Sequence, residues 1–170
     1  YDFVLDCSNT ILKSKLNNNF NYVLTISLVY KKSKAKSIYP ITIMDGQLPS
    51  LYPYADKKDF FTLTHSKYTH IKKFKNFSTL ELYKKSIKKK EINIIRKNME
   101  KDIINYFPKF KKLLTYKSYF LSYKVLPDEK SAKRSIFIFR DKNFITCTYP
   151  KITNIFSFQD YIKKIIRNEK

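Results

Sequence analysis

The sequence predicts a mixed α/β (α+β) chain, and three observations predict it. Short runs of β-branched and aromatic residues, separated by turn residues, fill much of the first seventy positions and return after Leu113. Two stretches, about 78–107 and 156–167, instead repeat apolar residues every three or four positions, the helical period. The strands in the middle read as antiparallel, whereas the first strand and the last strand-helix unit read as α/β elements. The two ends of the chain are therefore expected to meet in one layer. Hydrophobic residues make up 43% of the chain, enough to pack a core.

Taken in order, Phe3-Val4-Leu5-Asp6 is a short apolar run that stops at Cys7-Ser8-Asn9-Thr10. A buried strand ending in small polar residues is what a parallel sheet presents at its carboxyl edge, where ligands bind. Asn9 or Thr10 also suits an N-cap for a short turn through Leu16. Tyr22 to Tyr30 alternates cleanly, with Tyr22, Leu24, Ile26 and Leu28 on one face and Val23, Thr25, Ser27 and Val29 on the other. Lys31 to Lys36 is a basic turn. Three short strands follow: Ile41–Met44, Ser50–Tyr52 and Phe60–His65, with Tyr68 to Phe74 continuing the last after a break.

Ser78-Thr79 opens a helix, with Glu81 as a capping-box partner. Its apolar stripe (Leu80, Tyr83, Ile87, Ile94 or Ile95, Met99, Ile103, Tyr106) slips around Glu91, so one long helix or two consecutive ones both fit. Pro108 ends it. Leu113–Leu126 reads as one or two strands, Ser135–Phe139 and Asn143–Thr148 as one each, and Phe156–Arg167 as the closing helix.

The stretch Ile41 to His70 holds the one glycine, Gly46, and both histidines. Asp45-Gly46 suits a tight turn that needs positive φ. Ser50, Tyr52, Thr64 and His65 lie among apolar residues, so one sheet face is expected to present hydroxyls, a phenol and an imidazole together. That makes Tyr52 and His65 the candidate substrate-side groups.

Charge and glycine content exclude more than they assign. There are 35 Lys and Arg against 14 Asp and Glu. Such a balance suits a polyanion partner, and a Lys-rich nucleic-acid-binding module using the face with Lys84, Lys85, Lys88, Lys89, Lys90 and Lys97 is the alternative function. Arg is rare, however, and Lys, Asn, Ile, Tyr and Phe dominate, which is also the residue bias of an A+T-rich genome. A single glycine excludes GxGxxG and Walker A loops from this chain. Cys7 and Cys147 stand far apart without Cys/His clustering, which argues against zinc and for reduced thiols in a cytoplasmic protein. No apolar run is long enough to span a bilayer. The opening Tyr1-Asp2 suggests a piece of a longer protein.

Four segments in series resemble the C-terminal half of FAD-dependent oxidoreductases of the D-amino-acid oxidase (DAO) superfamily. Asp2-Phe3-Val4-Leu5-Asp6-Cys7-Ser8 resembles a strand pattern D-x-V-x-(N/D)-C-(T/S). Thr42 to Pro53 (TIMDGQLPSLYP) resembles T-V-M-D-G-x-F-x-S-L-x-P. Phe61 to His70 (FTLTHSKYTH) resembles x-T-L-(T/S)-H-V-(R/K)-(Y/H)-T-P, and Phe144 to Ser157 resembles F-I-S-V-L-S-G-K-I-N-T-I-Y-D. The closest branch is one associated with surface-polysaccharide genes, with amino-sugar metabolism as a further setting. The resemblance implies residues 1–16 as part of an FAD-binding domain, 20–140 as a substrate-domain sheet with its long helix, and 141–170 as the last strand and helix of the FAD-binding domain. It implies that Cys7, Ser8 and Asn9, and Lys151, Ile152, Thr153 and Asn154, lie by the flavin, with Tyr52 and His65 roofing a small-molecule substrate. Pro150 stands where the family has glycine. The N-terminal dinucleotide-binding half is not in this stretch, so the piece alone is expected to be inactive.

Overall fold

A computed structural model describes residues 3–6, 20–33, 37–44, 46, 48–54, 57–127, 136–148 and 155–168. The fold is α+β, with mainly antiparallel sheets and four helices among these residues. The chain divides into two compact units. One takes both ends of the sequence, residues 1–22 and 124–170 with 75–77; the other takes 23–74 and 78–123.

In the first unit β1 (Val4–Asp6) lies parallel to β9 (Phe144–Thr148), with Val4, Leu5 and Asp6 opposite Phe144, Ile145 and Thr146. The expected meeting of head and tail is therefore a direct strand pairing. β8 (Phe137–Asp141) completes this sheet as the antiparallel partner of β9, and Lys142 turns the hairpin at φ 54°. Ile145 and Cys147 face the core. The helix α4 (Ile155–Asn168) follows, with Ile165 buried.

The second unit is organised on β2 (Phe20–Lys32), whose central residues belong to it. Leu24, Ile26 and Leu28 are wholly buried, as a central strand requires. Backbone donors show which neighbour lies on which edge. Lys32 N–H donates to the Asp59 carbonyl and Ile26 N–H to the Thr69 carbonyl, while Ser33 N–H donates to the Leu113 carbonyl. Even and odd N–H groups point to opposite edges. So β5 (Phe60–His65) and β6 (His70–Phe74) lie end to end along one edge, and β7 (Leu114–Pro127) takes the other. β4 (Pro49–Pro53) and β3 (Ile41–Thr42) extend the sheet beyond β5, each antiparallel to its neighbour. Gly46, in the β3–β4 connection, has φ +112°, the conformation that glycine adopts without strain.

The long helical stretch is two helices, α1 (Phe77–Ser86) and α2 (Lys89–Tyr106). The slip in the apolar stripe is this break. Lys88 turns extended there, and Glu91 Oε1 accepts from its N–H in the new first turn. A reciprocal bond from the Lys88 side chain is ruled out chemically, since an ammonium has no lone pair to offer. Ser78 and Glu81 do not form the expected cap: α1 starts one residue earlier, and Glu81 instead pairs with Lys84 at 3.3 Å. α2 lays Ile92, Met99 and Ile103 over one face of the sheet, against Ile26, Leu28, Tyr30, Leu51, Phe61 and Leu63. A short helix, α3 (Phe110–Leu113), adds Phe110, whose ring meets Tyr30 edge-on at 4.9 Å.

β7 carries an irregularity. Tyr116 faces α2, with Arg96 stacked 4.4 Å over its ring, and Leu121 packs into the same core. They stand five positions apart, an odd number, so β7 does not alternate strictly between them. Beyond Leu121 the other face resumes, where Ser122 Oγ meets Thr25 Oγ1 at 2.8 Å.

Candidate functional site

The face of the second-unit sheet away from α2 is built from alternate residues of the strands that supply its core. Register sets its members. Thr42 lies opposite Ser50, Ser50 opposite Thr64, and Tyr52 opposite Thr62, which is itself opposite Val29. Thr25, Ser27 and Ser122 continue the row across β2 and β7. Lys31, two residues along β2 from Val29 and opposite Phe60, shares this face at its margin, with its ammonium 5.7 Å from the centre of the Phe60 ring. The Tyr52 hydroxyl is hydrogen-bonded to Thr42 Oγ1. Thr62 Oγ1 reaches the Tyr52 carbonyl at 3.5 Å. Tyr52 is 43% exposed.

His65 is not part of that face, which corrects the expectation that phenol and imidazole sit together. His65 follows Thr64 directly, and neighbours in a strand point to opposite faces. Its imidazole is fully buried on the α2 side, with Nε2 3.1 Å from Asp102 Oδ2. Nδ1 accepts from the Lys67 backbone N–H at 3.0 Å. A nitrogen that accepts carries no proton, so the neutral ring is the Nε2–H tautomer and its proton lies on the Asp102 side. That N–H is not well aligned on the carboxylate, so the short separation is mainly an electrostatic contact. Burial pulls the His65 pKa down, against the opposing pull of Asp102.

The same residue closes the turn between β5 and β6. His65 N–H donates to Thr69 Oγ1 at 2.7 Å, Thr69 N–H donates back to the His65 carbonyl at 2.9 Å, and the Tyr68 ring lies 4.6 Å from the imidazole. Ser66 ties in the β3–β4 connection, accepting from Leu48 N–H at 2.8 Å and donating to the Gly46 carbonyl. His65 is thus a structural bolt between a turn and a helix, with no exposed atom for a substrate.

No protein-family model, curated protein or solved structure matches the chain.

Cys7, Ser8, Asn9, Lys151, Ile152, Thr153 and Asn154, the residues expected by the flavin, lie outside the described residues, as does Pro150. The strands that lead to them are described. β1 and β9 are adjacent and parallel, so their carboxyl ends point to the same edge of the sheet. Asp6 and Thr146, opposite one another, are both buried.

Sequence reasoning missed Asp102 as the partner of His65. One signal was available: Asp102 stands three residues after Met99 and one before Ile103, at the rim of the buried stripe, where a carboxylate needs a partner. It also missed the Tyr30–Glu100–Arg96 cluster. There the Tyr30 hydroxyl donates to Glu100 Oε1 at 2.9 Å and Arg96 Nε lies 3.6 Å from the same oxygen. Burial, then the Glu100 charge, push the Tyr30 pKa up.

Chemically, the hydroxyl face can orient a polar, uncharged or carboxylate-bearing molecule by hydrogen bonds. Its polar groups are hydroxyls that donate and accept hydrogen bonds, so this face is suited to positioning a ligand. Among the described residues no cluster of His, Cys, Asp and Glu could hold a metal ion. Nor is any helix among them long and apolar enough to cross a membrane.

Proposed function

We propose that the chain is the C-terminal part of an FAD-dependent oxidoreductase that takes hydride from a small substrate. The observation that carries this reading is the parallel pairing of β1 with β9, followed by α4. It makes one α/β layer from the two ends of the chain, interrupted by an antiparallel unit between them. That is the organisation of a cofactor domain with a substrate domain inserted in it. Parallel strands whose ends coincide bring two loops to one edge, the ordinary place for a ligand in an open sheet. Cys7–Asn9 and Lys151–Asn154 follow β1 and β9 in sequence and would hold the flavin end of FAD. The bound flavin supplies the chemistry, accepting hydride at N5.

The substrate side is the hydroxyl face, with Tyr52 one of its exposed donors, and His65 acts through the turn it holds. With one glycine in the chain, the adenine-diphosphate end of FAD would rest on a dinucleotide-binding segment outside this stretch. An amino-sugar or other polar metabolite in the cytoplasm is the substrate class that suits a row of hydroxyls.

The test is to express the complete reading frame that encodes this sequence and record the visible spectrum of the purified protein. A flavin spectrum, with FAD released on denaturation, supports the reading. A colourless protein that takes up no added FAD removes it.

A further inference from the structure

A second group of polar side chains lies on the opposite side of the second-unit sheet, where α2 and β7 diverge. An open cleft of about 430 Å³ separates them. Lys89 and Asn93 line it from the first turns of α2, and Tyr116, Lys117, Ser118 and Tyr119 line it from β7. Four consecutive strand residues facing one cleft is not what a regular strand provides, since alternate residues point away. The departure of β7 from strict alternation falls over the same residues, and such departures recur where a sheet re-aims side chains at a site.

The lining has a consistent chemistry. Beside the apolar Ile92 it offers two lysines, a carboxamide and hydroxyls, and no carboxylate. Tyr116 is braced by Arg96 on its face and by Tyr30 at 5.6 Å, so it forms a wall. Tyr119 is 36% exposed and leaves part of its ring available. Two carboxylates of the same helix are engaged elsewhere: Glu91 accepts from the Tyr83 hydroxyl, and Glu100 from the Tyr30 hydroxyl. The volume lies within the range of small-molecule sites, roughly 300–1,000 Å³, and suits a ligand of mononucleotide size.

We propose that this cleft binds a phosphate monoester carrying a ring, with Lys89 and Lys117 on the phosphate and Tyr119 against the ring. Ammoniums are point-charge phosphate binders, Asn93 and Ser118 supply neutral donors beside them, and an exposed phenol ring stacks on planar or sugar rings. The proposal is independent of the flavin reading, because the cleft lies on the α2 side of the sheet and uses none of the hydroxyl-face residues.

Calorimetric titration of the chain with uridine monophosphate, glucose 6-phosphate and inorganic phosphate, at moderate salt, tests it. Saturable one-to-one binding of either ester, weakened at least about tenfold by the pair Lys89→Gln and Lys117→Gln, is the expected result. If Tyr119→Ala weakens the nucleotide alone, the ring is a base; if both esters weaken equally, it is a sugar. The pair Lys85→Gln and Lys97→Gln, on exposed positions of α1 and α2, should leave binding unchanged. Ser118→Trp, which fills the cleft, should abolish it, with circular dichroism confirming that each variant is folded. Absence of saturable binding would overturn the proposal. So would an equal loss in the control pair, which would mean only the diffuse attraction of a basic chain. Many-fold tighter binding of a short single-stranded oligonucleotide than of the monophosphate would overturn it in favour of a nucleic-acid track.

Discussion

The two faces of the antiparallel sheet are made from the same strands, residue by residue in alternation, yet they are chemically unlike. On one, Leu28, Leu51 and Leu63 meet across three strands beneath α2, and each is wholly buried. On the other, the positions between them hold Ser50, Tyr52, Thr62 and Thr64. The first face needs a partner, and the chain supplies α2 with a matching stripe. The second face keeps hydroxyls where a Lys-rich chain has ample charge to place. Ammoniums are sparser on it than on the outer sides of α1 and α2, with Lys31 at its margin opposite Phe60. What the difference teaches is that the core face specifies the fold, and the hydroxyl face is where a ligand would have to be read.

The largest effect should come from the core face. Leu63→Ala removes a wholly buried side chain between two leucines and should cost about 2–5 kcal/mol, measured by urea denaturation. Thr64→Ala, one residue along on the other face, should cost under about 1 kcal/mol. Equal losses at the two positions would mean that the faces are not energetically distinct.

Much of this division was legible in the sequence. The alternation of Tyr22 to Tyr30 placed Ile26 and Leu28 together, and the same rule applied to Thr64 and His65 puts them on opposite faces. The expectation of a shared face failed because the residues abut, and the period of a strand is two. The irregularity in β7 also left a trace. Apolar residues fall on even numbers at Leu114 and Tyr116, then on odd numbers at Leu121, Tyr123 and Val125. That change of phase was readable only as one strand or two. The pairing of His65 with Asp102 was half legible: the rim position of Asp102 calls for a partner, but the partner lies 37 positions away (102 − 65 = 37) and is brought to it by the crossing of a helix over a sheet. The segments expected to carry the cofactor, Cys7–Asn9 and Lys151–Asn154, show no apolar periodicity to read.

The His65 bolt sharpens the comparison next, since it puts a titratable group on the core face. Its folded pKa lies below the ordinary 6.5. The unfolded chain therefore takes up a proton that the folded imidazole refuses. The stability this group contributes is present above pH 6.5 and is lost as pH falls through the folded pKa. Urea midpoints measured between about pH 7.5 and 5 should fall more steeply for the native chain than for His65→Gln. Asp102→Asn removes the charge that raises this pKa, so its loss should extend to lower pH. Parallel curves for the native chain and His65→Gln would show that the imidazole is not held neutral. Tyr30→Phe, which takes the donor from Glu100 and leaves Arg96 beside it, should cost about 0.5–1.5 kcal/mol.

Tyr52→Phe is the smallest expected change in stability and the most direct test of the other face. The residue is exposed enough that losing one hydrogen bond to Thr42 should shift stability by no more than about 0.5 kcal/mol. If the hydroxyl row orients substrate, the same variant in the flavin-loaded complete protein should raise KM. It should leave the flavin spectrum and the urea midpoint unchanged, because a phenol that only positions contributes binding and not chemistry. A fall in stability without a change in KM would make the Thr42–Tyr52 pair a strut of the sheet edge. The face would then be ordinary structure, and the substrate side of the proposed oxidoreductase would have to be sought elsewhere in the complete protein.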